Sequence, residues 1–236
     1  MFTPIKNKKV YQHVIEQIQQ MVMDGTLKKG DQLPAERELA ETLGVSRTSV
    51  REALRALEII GTIESRQGEG NFISTSMERS LFEPLSVMFK LNHGSSQDIL
   101  ELRIIIETEA VKLAARRIEK EDMVILEQLI QALADAKNEN ESVIIDKEIH
   151  YKIAEITGNY LILSVLNAIS TLMESFIKEA RVRIINWQKE RNLLLQQHQE
   201  ICAAIIAKDP ERAAKAMHGH FQTVIESMEN LDPELE

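Results

Sequence analysis

Between Val10 and Asp24 the apolar residues Val14, Ile18, Met21 and Val22 recur at helical spacing, and Gly25 follows where a helix would be capped. This predicts a first helix. A second, shorter helix is expected after the turn at Gly30-Asp31: Pro34 suits a first helical position, Glu36 and Glu38 complement the positive end of the helix dipole, and Gly44 ends the segment. Ser46 then stands as the N-cap of a third helix, whose stripe Val50, Ala53, Leu54 and Leu57 faces a core. Two helices joined by a tight glycine-containing turn make a helix-turn-helix candidate. The period then changes. Residues 62–65 and 71–74 read as two short strands joined by Arg66-Gln67-Gly68-Glu69-Gly70, a hairpin wing.

Beyond Ser76 the strand-like alternation stops. Helical periodicity predicts elements at about 77–92, 96–118, 121–138, 142–157, 160–187, 189–208 and 211–230, separated by His93-Gly94-Ser95-Ser96, by Gly158-Asn159 and by Asp209-Pro210, where Asp209 suits an N-cap. The expected fold is therefore mainly α. A winged helix-turn-helix of three helices and a small β-hairpin occupies residues 1–75, and an all-α antiparallel bundle of six to seven helices occupies residues 76–236.

Composition agrees: 44% hydrophobic residues supply a packed core, and only 4% aromatics with 9 Gly and 5 Pro suit helices better than a turn-rich β-sandwich. The net charge of −9 at first argues against a nucleic-acid partner. Its distribution reverses that. The first 75 residues hold 10 Lys and Arg against 10 Asp and Glu, leaving 18 against 27 in the remainder, so the acidic excess lies wholly in the helical part and marks a boundary near residue 76. Cys202, the single cysteine, cannot form an intrachain disulfide and reads as core, and the N-terminus lacks the apolar centre of a secretory signal. No apolar stretch approaches the roughly 20 residues that span a bilayer. The expected address is the cytoplasm.

On the third helix Arg47, Arg51 and Arg55 recur every four residues outside the apolar arc, with Thr48 and Ser49 near its exposed start. Such a helix end can enter a major groove, where arginine bonds a guanine edge and hydroxyls hold phosphates. The alternative is a solvated basic face. Gly68, at the wing tip, lets the backbone approach a sugar or phosphate closely, or is only a turn residue. At this point the residues resemble a known family. Leu33-Pro34-Ala35-Glu36-Arg37-Glu38-Leu39-Ala40, then Gly44 through Leu54, then Gln67-Gly68-Glu69-Gly70, are similar to the signature of GntR-type winged-helix regulators. The resemblance implies DNA contacts at Arg37, Ser46, Arg47, Thr48, Ser49, Arg51 and Gly68; Glu36 and Glu38 read as helix N-terminal charges.

In the helical part the chemistry lies where polar residues interrupt apolar stripes. Asp146 and His150, spaced i, i+4, share a face with Val143 and Ile153; His198 lies in the stripe Leu194, Ile201, Ile205, and His220 in the stripe Ala213, Met217, Val224. All four point inward. Three imidazoles and a carboxylate buried from three helices need partners, and a divalent metal would satisfy them, whereas the alternative for each histidine is a core imidazole bonded to a backbone carbonyl. His218 lies about 200° around its helix from His220 and belongs to the solvated face. Arg103 offers a fork for a carboxylate, or else forms a surface pair with Glu107.

Arg103 through Glu107, Leu113-Ala114-Ala115, Asp146 through His150, Gly158-Asn159, His198 through Ile201 and Met217 through Phe221 resemble the C-terminal domain of the FadR subfamily. In its metal-containing branch the residues matching Asp146, His150, His198 and His220 bind zinc or a similar ion such as nickel or manganese. The matching Arg103 helps hold an anionic effector, and Asn159 is expected with it. Ile149 departs from the family, which often has an aromatic residue there, and the full Asp/His set argues against the acyl-CoA-binding branch. The resemblance implies a homodimeric regulator, most simply a repressor, that reads a pseudo-palindromic operator and responds to a small organic acid. Two competing readings are a regulator whose effector is the metal itself and a helical metal-dependent enzyme with a DNA-binding head.

Overall fold

The computed structural model describes residues 9–75, 78–169, 172, 176–178, 180–184 and 192–229. The chain divides into two compact units, Met1–Pro84 and Leu85–Glu236.

The N-terminal unit comprises α1 (Val10–Met23), α2 (Glu36–Leu43), α3 (Arg47–Ile59), β1 (Ile63–Arg66) and β2 (Gly70–Ile73). Its core holds Val14 and Ile18 of the expected α1 stripe, with Met21 and Val22 half-buried, and the whole expected α3 stripe, Val50, Ala53, Leu54 and Leu57, together with Ala40 from α2, Leu33, Ile63 and Ile73. Gly44 ends α2 in the left-handed conformation at φ 65°, which costs glycine nothing. Ser46 caps α3 as expected, its hydroxyl accepting from the Ser49 N–H at 3.1 Å. Pro34 is not the first helical residue. Ala35 is the N-cap and helix begins at Glu36, so proline sits just outside, where its fixed φ still suits an extended approach. The hairpin is antiparallel, with Ile63 opposite Ile73 and Arg66 opposite Gly70, one residue tighter at the turn than its apolar pattern suggests. Gln32 extends it through a bridge to Phe72 and donates from its side chain to the Glu69 carbonyl at 2.7 Å.

The second unit is helical throughout its described residues. After α4 (Glu78–Leu91), which carries the division between the units, come α5 (Ser96–Arg117), α6 (Lys120–Asp135), α7 (Glu139–Ile156), α8 (Tyr160–Ala168), α9 (Asn192–Ile206) and α10 (Pro210–Glu229). Residues 176–178 and 180–184 are also helical. The single helix expected over 160–187 is thus interrupted after α8, while 170–171 and 185–187 lie outside the described residues, as does 189–191 of the next predicted element. Polar caps decide the starts. Ser95 and Asp98 reciprocate across the first turn of α5, and Asn138 accepts from the Glu141 N–H at 3.0 Å, so α7 begins before its apolar stripe does. Asp209 accepts from the Arg212 N–H at 3.0 Å, leaving Pro210 the first residue of α10.

Helix α5 packs on α7, α9 and α10, and α6 on α7 and α9. The small residues Ala110, Val111, Ala114 and Ala115 of α5 let its neighbours approach, while Ile153, Ile201 and Phe221 fill the centre. Each such large side chain, fully buried, contributes about 1.5–3 kcal/mol. Cys202 belongs to this core, and burial pushes its thiol up to about 12.

Candidate metal centre and DNA-facing surface

Three of the four inward polar residues meet. One nitrogen each from His150 on α7, His198 on α9 and His220 on α10 lie within 4.8 Å of one another, and all three residues are buried. The Asp146 carboxylate, one turn before His150, lies 3.6 Å from His150 Nε2 and 3.3 Å from His198 Nε2. His218 is exposed, as its position on the helix requires.

The outer nitrogen of each ring is held from behind. His198 Nδ1–H donates to the Leu194 carbonyl at 2.7 Å and His220 Nδ1–H to Gln197 Oε1 at 3.2 Å, while His150 Nδ1–H donates to Glu107. Acceptors at these positions put the proton on Nδ1 and turn the Nε2 lone pairs toward the common centre, the tautomer a metal ligand requires. Burial acts on two of the rings. Burial lowers His198, partly opposed by Asp146, and burial with the neighbouring rings takes His220 well below the ordinary histidine range.

The carboxylates stay ionised although buried. Burial alone would raise Glu107, but Arg103 and His150 more than offset it and hold it at about 2. Burial opposes ionisation of Asp146 too, and His198, His150 and Arg181 together keep it far below the usual range. Imidazole nitrogens from three residues and an ionised carboxylate facing one point need a shared positive partner between them. The donor set therefore fits a divalent metal of the kind that accepts imidazole and carboxylate.

Arg103 is buried and its Nε donates to Glu107 Oε1 at 2.7 Å, so the expected pair exists, inside the bundle rather than on the surface. Among the described residues its Nη2 has no hydrogen-bond partner. A buried guanidinium nitrogen left without an acceptor is costly and marks a place for an anion. Arg103 and His220 line a cavity of about 10 Å³ with Asp146, Arg181 and the apolar Ile177, Ile184, Leu194 and Val224. Such a space holds about one water. Asn159 is placed elsewhere: it is exposed, and its side chain accepts from the Leu161 N–H at 3.0 Å as the N-cap of α8.

Three further residues complete the site: Glu107, expected only as a surface partner of Arg103, and Arg181 and Gln197. Glu107 was a legible candidate, since Leu100, Arg103, Glu107, Ala110 and Ala114 form one inward stripe at helical spacing. Arg181 interrupts Ile177 and Ile184 likewise; its Nη1 donates to Asp146 Oδ2 at 2.7 Å and its Nε to Glu139. Gln197 had no such signal, because an amide beside a solvent-facing arc is ordinary.

In the N-terminal unit Arg37, Ser46, Arg47, Thr48, Arg51 and Gly68 are exposed and Ser49 is half-buried. Gly68 has φ 79°, and a Cβ there would meet no atom within 4 Å, so its conformation favours glycine while its space is open. Ser46 and Ser49 hydroxyls lie 2.9 Å apart across the first turn of α3. Arg51 is not free: its Nε and Nη2 donate to both carboxylate oxygens of Glu36, the shortest contact being 2.8 Å.

Residues 10–73 match the gntR family of bacterial regulatory proteins, and residues 98–223 match the FCD domain. The chain belongs to the GntR family. Within it, the chain is 32% identical to an L-lactate dehydrogenase operon regulatory protein of Escherichia coli (strain K12), over 95% of this chain and 88% of that one. It is 32% identical to the HTH-type transcriptional repressor NanR of Salmonella schwarzengrund, over 94% and 85% of the two chains. The structure of Streptococcus agalactiae GntR superposes with a TM-score of 0.69 at 28% identity, covering 92% of this chain and all of that one. These relatives are transcription regulators, not enzymes, and this GntR-FCD chain is a ligand-responsive, DNA-binding regulator of the same kind. Among the described residues no helix is long and apolar enough to cross a membrane.

Proposed function

We propose that residues 1–75 read a pseudo-palindromic operator as part of a homodimer, and that residues 76–236 provide dimerisation and bind a small carboxylate at a metal, most simply zinc, with nickel or manganese as substitutes. Arg37, Ser46, Arg47, Thr48, Ser49, Arg51 and Gly68 contact DNA; His150, His198 and His220 with Asp146 hold the ion. The metal, when bound, offers Lewis acidity and open coordination positions to an anion. The chain's own residues do the rest. Glu107, the Leu194 carbonyl and Gln197 orient the rings, and Arg103 presents Nη2 to the acid's second oxygen.

The observation that carries this reading is the buried Nη2 of Arg103, without a hydrogen-bond partner among the described residues, beside three converging imidazoles. The cavity holds about one water, so any acid larger than that enters by displacing lining side chains, and this displacement is a means of altering the helical unit. A coupling of about 1–3 kcal/mol would change DNA affinity roughly 5- to 150-fold. A relative named for an L-lactate dehydrogenase operon makes hydroxy acids the first class to try, ahead of sugar acids and dicarboxylates, and the NanR relative supports repression. Action on DNA places the protein in the cytoplasm.

The test is a thermal-shift screen of small carboxylates on metal-loaded and chelator-stripped protein, with elemental analysis of His198→Ala. A carboxylate that raises the melting temperature only in the loaded form, and a variant with reduced metal content, are expected. Full metal occupancy in His198→Ala would remove the proposed centre. A response to metal with none to any acid would instead make the ion the effector.

A further inference from the structure

We propose that Glu36, on the first turn of α2, is a positioning residue for sequence recognition: it locks the guanidinium of Arg51 so that the remaining edge reads a base. The proposal rests on the assignment of Arg51 to base reading and adds a residue for which no role on DNA has been given.

Arg47, Arg51 and Arg55 all lie on the exposed face of α3, yet among the described residues only Arg51 is held by a hydrogen-bonded ion pair. The grip comes from one side. Nε donates to Oε1 and Oε2 of Glu36 at 3.1 and 3.2 Å, and Nη2 donates to Oε2 at 2.8 Å. That engagement uses the Nε side of the guanidinium and leaves Nη1 and the second N–H of Nη2, the pair of donors at the tip of the side chain. A bidentate contact to guanine needs two adjacent donors held in a plane. An unrestrained arginine would lose side-chain freedom on reaching such a plane, whereas Arg51 has already lost it to Glu36.

Besides complementing the positive end of α2, this carboxylate bears on DNA directly. It repels phosphate, and here it lies amid the charges of all three α3 arginines, lowered below the usual carboxylate range first by its bond to Arg51. Its side chain is 29% exposed against 49% for Arg51, so it sits behind the arginine and can brace it. The same charge weakens binding to DNA of any sequence, because it cancels part of the cationic patch. The pair thus gives up general affinity for selectivity.

The two effects have opposite signs, which makes the proposal separable from a merely structural role. The full-length chain is titrated onto a duplex that the wild type selects from a random pool and onto a scrambled duplex of equal length. Glu36→Ala is expected to bind the scrambled duplex about 2- to 3-fold more tightly, through loss of one negative charge, and the selected duplex about 5- to 10-fold more weakly, through loss of Arg51 orientation. Glu36→Gln, which keeps one acceptor oxygen, should fall between. In an Arg51→Ala background Glu36→Ala should strengthen binding to both duplexes, since no guanidinium remains to brace. If Glu36→Ala strengthens both duplexes with Arg51 present, the bracing role is wrong while base reading by Arg51 stands. If Arg51→Ala alone leaves the selected duplex unaffected, base reading fails and the bracing role with it. A parallel fall on both duplexes for Glu36→Gln with an unchanged melting temperature would also overturn the proposal.

Discussion

The two units use the same chemistry, arginine against carboxylate, in opposite surroundings. Arg51 and Glu36 meet on the surface, with side chains 49% and 29% exposed; Arg103 and Glu107 meet inside the bundle, at 3% and 2%. The contacts are similar, at 2.8 and 2.7 Å. What differs is the cost of letting go. On the surface water solvates either partner, so the exposed pair adds little to stability, and the outer edge of Arg51 stays open to a base while its Nε side is held. In the bundle neither partner has water to fall back on, and losing one strands the other. A reader of DNA needs donors left open to solvent, and a metal centre needs rings that cannot turn. The chain supplies each from the same residue types by burial alone.

The largest effect expected from this contrast is that of Glu107→Ala. It removes the acceptor of both Arg103 Nε and His150 Nδ1, leaving a buried guanidinium uncompensated, and should destabilise the helical unit by about 3–5 kcal/mol. Urea unfolding followed by the helical circular dichroism signal checks this. Arg51→Ala, measured by the helical circular dichroism signal, should leave the unfolding midpoint where it is. If the two variants shift stability alike, burial is not what separates the pairs.

Acid sharpens the same contrast. A carboxylate held at about 2 in the fold, against an ordinary 4.5, contributes stability that is complete above about pH 4.5 and drains as the pH falls toward 2. His198 and His220 act earlier and in the same direction. Lowered from 6.5, they stay neutral in the fold while the unfolded chain takes up protons, so stability begins to fall once the pH drops below about 6.5. In chelator-treated protein the urea midpoint by circular dichroism should therefore decline below pH 6.5 and more steeply below 4.5. A midpoint that stays flat from pH 7 to 4 contradicts the buried cluster.

How much of this was legible beforehand follows the same divide. Periodicity located the helices of both units because a core stripe is a one-dimensional signal, and His198 and His220 stood out as polar interruptions of such stripes. Convergence did not have that signal. That His150, His198 and His220 face one point depends on how α7, α9 and α10 pack, which no spacing within one helix encodes. The supporting groups were harder still: Glu107 reads as an ordinary i+4 partner of Arg103 until the stripe is known to be buried, and Glu36 reads as a helix N-terminal charge until Arg51, fifteen residues on, folds over it. Strand ends shifted by a residue because the wing's hydrogen bonds, not its side-chain alternation, set the register.

Asn159 gives the smallest test and the one that bears on how far family resemblance reaches. Resemblance places it with the effector, yet its backbone is extended at φ −97° and ψ 101°, its own N–H donates to Thr157 Oγ1 at 3.1 Å, and its side chain caps α8. These are the bonds of a helix start, and they engage the amide oxygen of Asn159 in capping α8. Asn159→Ala should cost about 1 kcal/mol, the usual worth of such a cap, and Asn159→Asp, which caps equally well, should restore it. Neither change should move the concentration of carboxylate that half-saturates the thermal shift of metal-loaded protein. Loss of that response in both variants, with the cap restored by Asp, would show that the amide itself meets the acid, and would return Asn159 to the company of Arg103.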